Sequence, residues 1–317
     1  MTSTTKAIRS ATRDVHIIVT CTNRKSRPVP GPLRLADVPR GNAAQRCRDW
    51  IKRLTKQGSD QALSARDLYR GEHWAIARNL PALVQDNERA HLWACSAGYG
   101  LIRAQALIHP YAATFTTGHP DSVEEDTARW WQRLSEWDGP DRNQPRTIRA
   151  LAEANPDAAF MLMLSTPYLF PCLDDIKAAI TKVSDQDQFL LVSAGARESS
   201  GLSEVMVPAD ARLQSCLGGT LQALNARIGE RLLNAGIRGR AEATHYLSAL
   251  LTAQPARRRY DRKKLNDDEV IALIADGLAR SPGASASQLL RTFRDQGYAC
   301  EQSRFGQLHK RLAEAVS

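Results

Sequence analysis

VHIIVTCTNRKS, residues 15–26, joins an uninterrupted apolar run to a polar segment. Three other stretches have this form, in which an apolar run ends abruptly in small and polar residues. They are LWACSAGYG (92–100), AFMLMLSTPYL (159–169) and FLLVSAGARESS (189–200). A strand without alternation of apolar and polar residues is covered on both faces, which is typical of a parallel sheet. The four runs therefore predict four parallel strands.

Helical patterns lie between and after these runs, as expected for an α/β domain. The predicted helices are NAAQRCRDWIKRLTKQ (42–57), VEEDTARWWQRLSEW (123–137), PCLDDIKAAITKV (171–183), GGTLQALNARIGERLLNAG (218–236) and GRAEATHYLSALLTAQ (239–254). EVMVP (204–208) predicts one more strand. Strands that alternate with helices indicate a doubly wound parallel sheet. We assign this α/β catalytic domain to residues 1–254.

The end of the chain has a different composition. PARRRYDRKK (255–264) has six basic residues in ten and predicts a basic linker over residues 255–265. Three short helical patterns follow, with Gly297 before the last, and indicate a helix-turn-helix-like nucleic-acid-binding module over residues 266–317. A solvated hinge and a helical oligomerisation tail are the alternatives. The predicted DNA contacts are Arg257, Arg258, Arg259, Arg262, Lys263, Lys264, Gln302, Arg304 and Lys310.

Composition narrows the class of partner. The formal net charge is +9, which favours a polyanion such as nucleic acid. No apolar run approaches the roughly 20 residues of a membrane helix, and the N-terminal stretch has no apolar core typical of a signal peptide. We therefore expect a cytoplasmic protein without a membrane partner. The six cysteines form no CxxC pair, so neither a metal site nor a disulfide framework is predicted.

The candidate site lies where the predicted strands end. Ligands of open parallel sheets bind beyond the carboxyl ends of the strands, so the polar segments should meet in one crevice. The candidate catalytic residues are Asn23 and Asp121. The candidate substrate-binding residues are Cys21, Lys25, Ser96, Tyr99, Thr166, Tyr168 and Arg197. The sequence has no GxGxxG, GxxxxGK[ST] or GxSxG motif, which argues against a dehydrogenase, an NTPase and a lipase-type hydrolase.

Such a polar crevice suits hydrolysis of an N-glycosidic bond. An amide or carboxylate can position water or stabilise a sugar cation, and aromatic rings can stack on a base that has been flipped out of the duplex. Each candidate also has a structural interpretation. Asn23 can form an Asx-turn and Asp121 can cap the helix at 123–137. Lys25 can be a solvated charge, and Tyr99 can pack under its own loop.

Four short motifs resemble those of a known group. CTNRK (21–25), ARDLYRGEHW (65–74), CSAGYGLI (95–102) and the Pro110–Tyr111 pair are similar to motifs of a bacterial and phage group of small α/β domains. That group is related to the archaeosine synthase core and is similar in fold to the uracil-DNA glycosylase superfamily. With its C-terminal helices, the chain also resembles anti-phage DNA glycosylases. This resemblance implies excision of glucosylated hydroxymethylcytosine from phage DNA, leaving abasic sites.

Three functions remain open at this point. The first is a DNA glycosylase in anti-phage defence, acting on double-stranded modified phage DNA without metal, cofactor or obligatory protein partner. The second is an RNA-modification enzyme of the deazaguanine type. The third is a non-enzymatic DNA-binding regulator, for which substitution of Asn23 and Asp121 would leave biological activity intact.

Overall fold

The computed structural model describes residues 12–58, 61–124, 126–196, 201–255 and 261–316. The chain divides into two compact units, with the boundary between Pro255 and Ala256. Four of the predicted site residues lie outside the described residues, namely Arg197, Arg257, Arg258 and Arg259.

A mixed α/β architecture with a mostly parallel central sheet forms the first unit. Its strands are β1 (Arg13–Thr20), β2 (Leu63–Ser64), β3 (Glu88–Ser96), β4 (Gly100–Arg103), β5 (Leu107–Ile108), β6 (Ala159–Met163) and β7 (Phe189–Val192). The central sheet has the order β4-β3-β1-β6-β7. β1 pairs in parallel with β3 and β6, and β6 pairs in parallel with β7. The four predicted parallel strands are thus confirmed.

Helices surround this sheet. They are α1 (Ala43–Thr55), α2 (Ala65–Leu68), α3 (Glu72–Ala77), α4 (Thr127–Glu136), α5 (Ile148–Ala154), α6 (Thr166–Leu169), α7 (Leu173–Ile180), α8 (Gln214–Leu217), α9 (Leu224–Asn234) and α10 (Arg240–Thr252). The predicted helices at 42–57, 123–137, 171–183, 218–236 and 239–254 correspond to α1, α4, α7, α9 and α10. Every residue of β6 and β7 is buried, which agrees with strands covered on both faces.

The order of the strands creates a switch point in the sheet. From β1 the chain proceeds to its neighbour β3 on one side, and it later crosses to β6 on the other side. The connections leave β1 and β6 in opposite directions at this position. In open α/β sheets, the crevice beyond the strand ends at such a point is the usual ligand site.

Two segments differ from the sequence prediction. The SAGYG segment is a buried turn between β3 and the antiparallel β4, with Ser96 paired to Gly100, and it does not line the predicted crevice. EVMVP forms only an isolated bridge in which Met206 lies parallel to Leu191 of β7. Apolar residues of both segments are buried in the core. Hydrophobicity alone therefore did not distinguish a hairpin turn from a crevice segment, or an edge segment from a strand.

The second unit contains α11 (Asp267–Arg280), α12 (Ala286–Asp295) and α13 (Gln302–Val316), with a two-residue parallel pair of β8 (Lys263–Lys264) and β9 (Tyr298–Ala299). Its separate core includes Val270, Ile274, Phe293 and Phe305. The end of the predicted basic linker is part of this unit, because Lys263 and Lys264 form β8 and Leu265 is buried in the core. In the described parts of both units, no helix is long and apolar enough to cross a membrane.

Candidate functional site

A cavity of about 640 Å³ opens in the first unit at the switch point between β1 and β6. Its lining is dominated by hydroxyl, amide and charged side chains from several segments. The lining residues are Thr20, Cys21, Thr22, Asn23, Arg24, Arg70, Gly71, Glu72, His73, Thr114, Thr116, Ser165, Pro167, Tyr168, Thr220, Gln222 and Asn225. The volume is within the range of small-molecule sites, roughly 300–1,000 Å³.

The segments after β1 and β6 provide the part of the lining that the sequence predicted. Asn23 is exposed in this lining, and Cys21 is buried in it. The Cys21 sulfur lies 3.5 Å from the hydroxyl of Tyr168, which lies 3.4 Å from Thr114 Oγ1. Burial raises the pKa of Tyr168, so its hydroxyl stays protonated. Thr166, the first residue of α6, is not itself among the lining residues, although Ser165 and Pro167 are.

The predicted residues of the SAGYG turn lie outside the cavity lining. Ser96 Oγ is 2.6 Å from the Tyr111 hydroxyl and accepts the backbone N–H groups of Gly98 and Tyr99. The Tyr99 hydroxyl accepts the backbone N–H of His109 at 3.1 Å. Tyr99 is buried and does not line the cavity, so its alternative interpretation, packing under its own loop, fits the structure better than stacking on a base.

Lys25 belongs to the segment that follows β1, and its side chain folds back onto the backbone of that segment. Its ammonium donates to the carbonyl oxygens of Thr22 at 2.7 Å and Asn23 at 3.2 Å, and it lies 4.4 Å from the Tyr111 ring centroid. Burial lowers the pKa of Lys25 to about 8, while the charges of Cys21 and Asp121 oppose this shift. Lys25 therefore fixes the backbone that carries Asn23, and it is not among the residues of the cavity lining.

Asp121 is also absent from the cavity lining. Its Oδ1 accepts the backbone N–H of Ala36 at 3.0 Å, and its carbonyl accepts the N–H of Thr114 at 3.0 Å. It does not cap the following helix, since the N-cap of α4 is Asp126. Asp121 instead holds the Thr114 segment next to the cavity.

Glu72 is the carboxylate of the cavity lining, and the sequence analysis did not select it. It begins α3 after Gly71, whose φ of +104° suits glycine. Arg227 Nη2 donates to Glu72 Oε1 at 2.7 Å, and the backbone N–H of Thr220 lies 3.3 Å from both carboxylate oxygens. Hydrogen bonds from Arg227 and Thr220 lower the pKa of Glu72. Its only sequence signal was its position within the ARDLYRGEHW motif.

His73 lies in the same wall of the cavity. Its Nε2 lies 2.8 Å from the carbonyl oxygen of Thr20, so Nε2 carries the hydrogen and Nδ1 carries a lone pair. Burial lowers the pKa of His73, which favours this neutral form. Nδ1 is buried and has no hydrogen-bond partner in the described structure. It therefore leaves an acceptor unsatisfied beside the cavity.

Asn225 of α9 also lines the cavity, and its side chain bonds to the segments that follow two strands. Its Nδ2 donates to the carbonyl of Leu164 after β6 at 2.9 Å. Its Oδ1 accepts the N–H of Ala194 after β7 at 2.8 Å. A helix distant in sequence thus fixes the carboxyl ends of two neighbouring strands.

Among the predicted DNA contacts of the second unit, two arginines bond to other residues of the unit, and four side chains are exposed to solvent. Arg304 is paired with Asp267 at 2.5 Å and donates to the carbonyl of Leu265, so it connects α13 to α11. Arg262 donates through Nε to the carbonyl of Arg294 at 3.0 Å. The remaining described candidates are exposed, namely Lys263, Lys264, Gln302 and Lys310.

Comparison with known proteins assigns no family. No protein-family model matches the sequence, and a search of curated proteins finds no match. Among the described residues, no cluster of three or more His, Cys, Asp or Glu side chains could hold a metal ion.

Proposed function

We propose that the protein is a DNA glycosylase that excises a modified base, glucosylated hydroxymethylcytosine, from phage DNA and leaves abasic sites in anti-phage defence. The observation that carries this proposal is the polar cavity at the β1/β6 switch point, with the ionised Glu72, neutral His73 and exposed Asn23 in its lining. These groups can act on a neutral glycosidic bond, in which charge develops on the sugar.

The proposed reaction breaks the bond between C1′ of the deoxyribose and the base nitrogen. The electron pair of that bond leaves with the base, which takes a proton, and a water molecule adds to C1′. Arg227 holds Glu72 ionised through Oε1, and Oε2, which Arg227 does not contact, stabilises the positive charge on the sugar. Asn23 orients the water, and the proton that this water loses on adding to C1′ balances the proton taken by the departing base. Asp121 acts indirectly, by positioning the Thr114 segment.

The base must leave the duplex to reach this cavity. Tyr168 is a tyrosine of the lining, and its ring forms a T-shaped pair with that of Phe115 at a centroid distance of 5.1 Å. The polar side chains around it can satisfy sugar hydroxyls on an enlarged base. We further propose a uracil-DNA-glycosylase-like fold for the first unit and a helix-turn-helix-like DNA-binding role for the second, supported by the parallel sheet and the three helices.

The test is mass spectrometry of small molecules released from DNA. The full-length protein is incubated separately with glucosylated phage DNA, unmodified DNA and tRNA. The expected result is a free glucosylated base and abasic sites from the first substrate alone. Asn23→Ala and Glu72→Gln are each expected to lower the rate at least about 100-fold, on the scale of other electrostatic and acid–base groups.

Matched substitutions outside the cavity serve as controls. Asn234→Ala at the end of α9 and Glu242→Gln on α10 alter exposed side chains and are expected to retain the wild-type rate. Release of no base from any DNA would contradict the proposal. A product from tRNA alone would favour the RNA-modification alternative.

A further inference from the structure

The second unit contains an open pocket of about 300 Å³ that the sequence analysis did not identify. Arg262, Arg291 and Arg294 line it together with Asp295, so three positive charges face one carboxylate. Gln302, the first residue of α13, completes one side. The backbone N–H groups of Ser303 and Arg304 at the start of this helix are capped by the Glu301 carboxylate, so the positive charge of the pocket comes from its arginines.

The pocket is built on one face of α12. Ser287, Leu290, Arg291, Arg294 and Asp295 follow the spacing i, i+3, i+4, i+7 and i+8, which places them along one side of a helix. The neighbouring side buries Leu289 and Phe293 in the core of the unit. The basic side chains of α12 are therefore displayed by a helix that is fixed through its apolar face.

Two of the three arginines are held in place by backbone carbonyls. Arg294 Nη2 donates to the carbonyl of Cys300 at 3.1 Å, and Arg262 Nε donates to the carbonyl of Arg294 at 3.0 Å. Arg291 is exposed, and no residue in the described part of the chain accepts a hydrogen bond from its guanidinium or forms an ion pair with it. The guanidinium groups of Arg262 and Arg294 are fixed in orientation, and that of Arg291 is available to a ligand. Such a set suits an anion with several oxygen atoms.

We propose that this pocket binds phosphate groups of a double-stranded DNA backbone, and that the α12 face, more than α13, is the main contact of the second unit with DNA. The choice of DNA rests on the proposed function. Arg304 of α13 already forms an ion pair with Asp267. In contrast, Arg262, which lines the pocket beside α12, directly precedes the exposed Lys263 and Lys264 of β8. A phosphodiester backbone offers the repeated single charges that such a surface can follow.

The test measures binding of the full-length protein to an unmodified DNA duplex by fluorescence anisotropy at several salt concentrations. Loss of one phosphate contact should reduce the slope of log K against log salt by about 0.9. At 0.1 M salt, this corresponds to roughly eightfold weaker binding by Arg291→Ala. Arg291→Lys keeps the charge and is expected to recover most of the affinity.

Arg280→Ala is the matched control, because it removes an exposed arginine of α11 that is paired with Asp276. This variant is expected to retain the wild-type slope. Equal slopes for Arg291→Ala and the wild type would overturn the proposal, as would a stronger loss on duplex RNA than on DNA. A slope change in a protein that releases no base would support this pocket while refuting the glycosylase proposal, so the two failures are distinguishable.

Discussion

His16, buried in the middle of the sheet on β1, predicts a steep loss of stability in mild acid. Its ring stacks between His91 and Phe160, with centroid distances of 5.0 and 5.1 Å. Its Nδ1 accepts the indole N–H of Trp93 at 3.1 Å. Burial, followed by the charge of His91, lowers the pKa of His16 to about 4. The folded protein therefore holds this imidazole neutral at pH values where an unfolded chain would protonate it.

The magnitude follows from the difference between the two pKa values. An unfolded histidine has a pKa of about 6.5, so below that pH the unfolded state binds more protons and stability falls. Between pH 7.5 and pH 5, His16 alone should reduce the free energy of unfolding by about 2 kcal/mol. The loss levels off below pH 4, where the folded state is protonated as well. The pKa of Asp14 is lowered to about 2 by Arg89, so Asp14 remains ionised across this interval.

The assay is urea unfolding followed by tryptophan fluorescence. All six tryptophans lie between residues 50 and 137, so the signal reports the first unit alone. His16→Phe keeps an aromatic ring but removes the titration, and it should lose about 2 kcal/mol less than the wild type between pH 7.5 and pH 5. His245→Phe, which removes an exposed imidazole on α10, should follow the wild type. Parallel pH profiles for His16→Phe and the wild type would refute the reasoning.

Two further substitutions test the packing around the cavity, with the same unfolding assay. Asn225→Ala leaves a carbonyl and an N–H at two strand ends without their partner and should cost about 2–4 kcal/mol, whereas a cost as small as that of Asn234→Ala would contradict this role. Gly98→Ala places a Cβ against the ring of Tyr111 and should cost about 1–3 kcal/mol. Gly58→Ala is the control, because no atom lies within 4 Å of a Cβ added there. Equal stabilities of the Gly98→Ala and Gly58→Ala variants would show that the Tyr111 ring moves away without cost.

The sequence by itself determined the parallel sheet and the five longest of the ten helices described in the first unit. An apolar run such as VHIIVT leaves no polar face, so it must be covered on both sides, and this requirement is local. Because such strands end at one edge of the sheet, the sequence also placed Cys21, Asn23 and Tyr168 in the candidate site. The structure puts all three in the cavity lining.

Only the tertiary structure decided which other side chains reach the cavity. Glu72 and His73 come from a short helix that follows no predicted strand, and Asn225 comes from α9, more than 200 residues after β1. Ser96 is the last residue of β3 and Tyr99 follows it closely, yet the chain turns back into the antiparallel β4 and both side chains are buried. The chemistry of a strand end can be predicted from local residues, but its exposure depends on distant segments that pack over it.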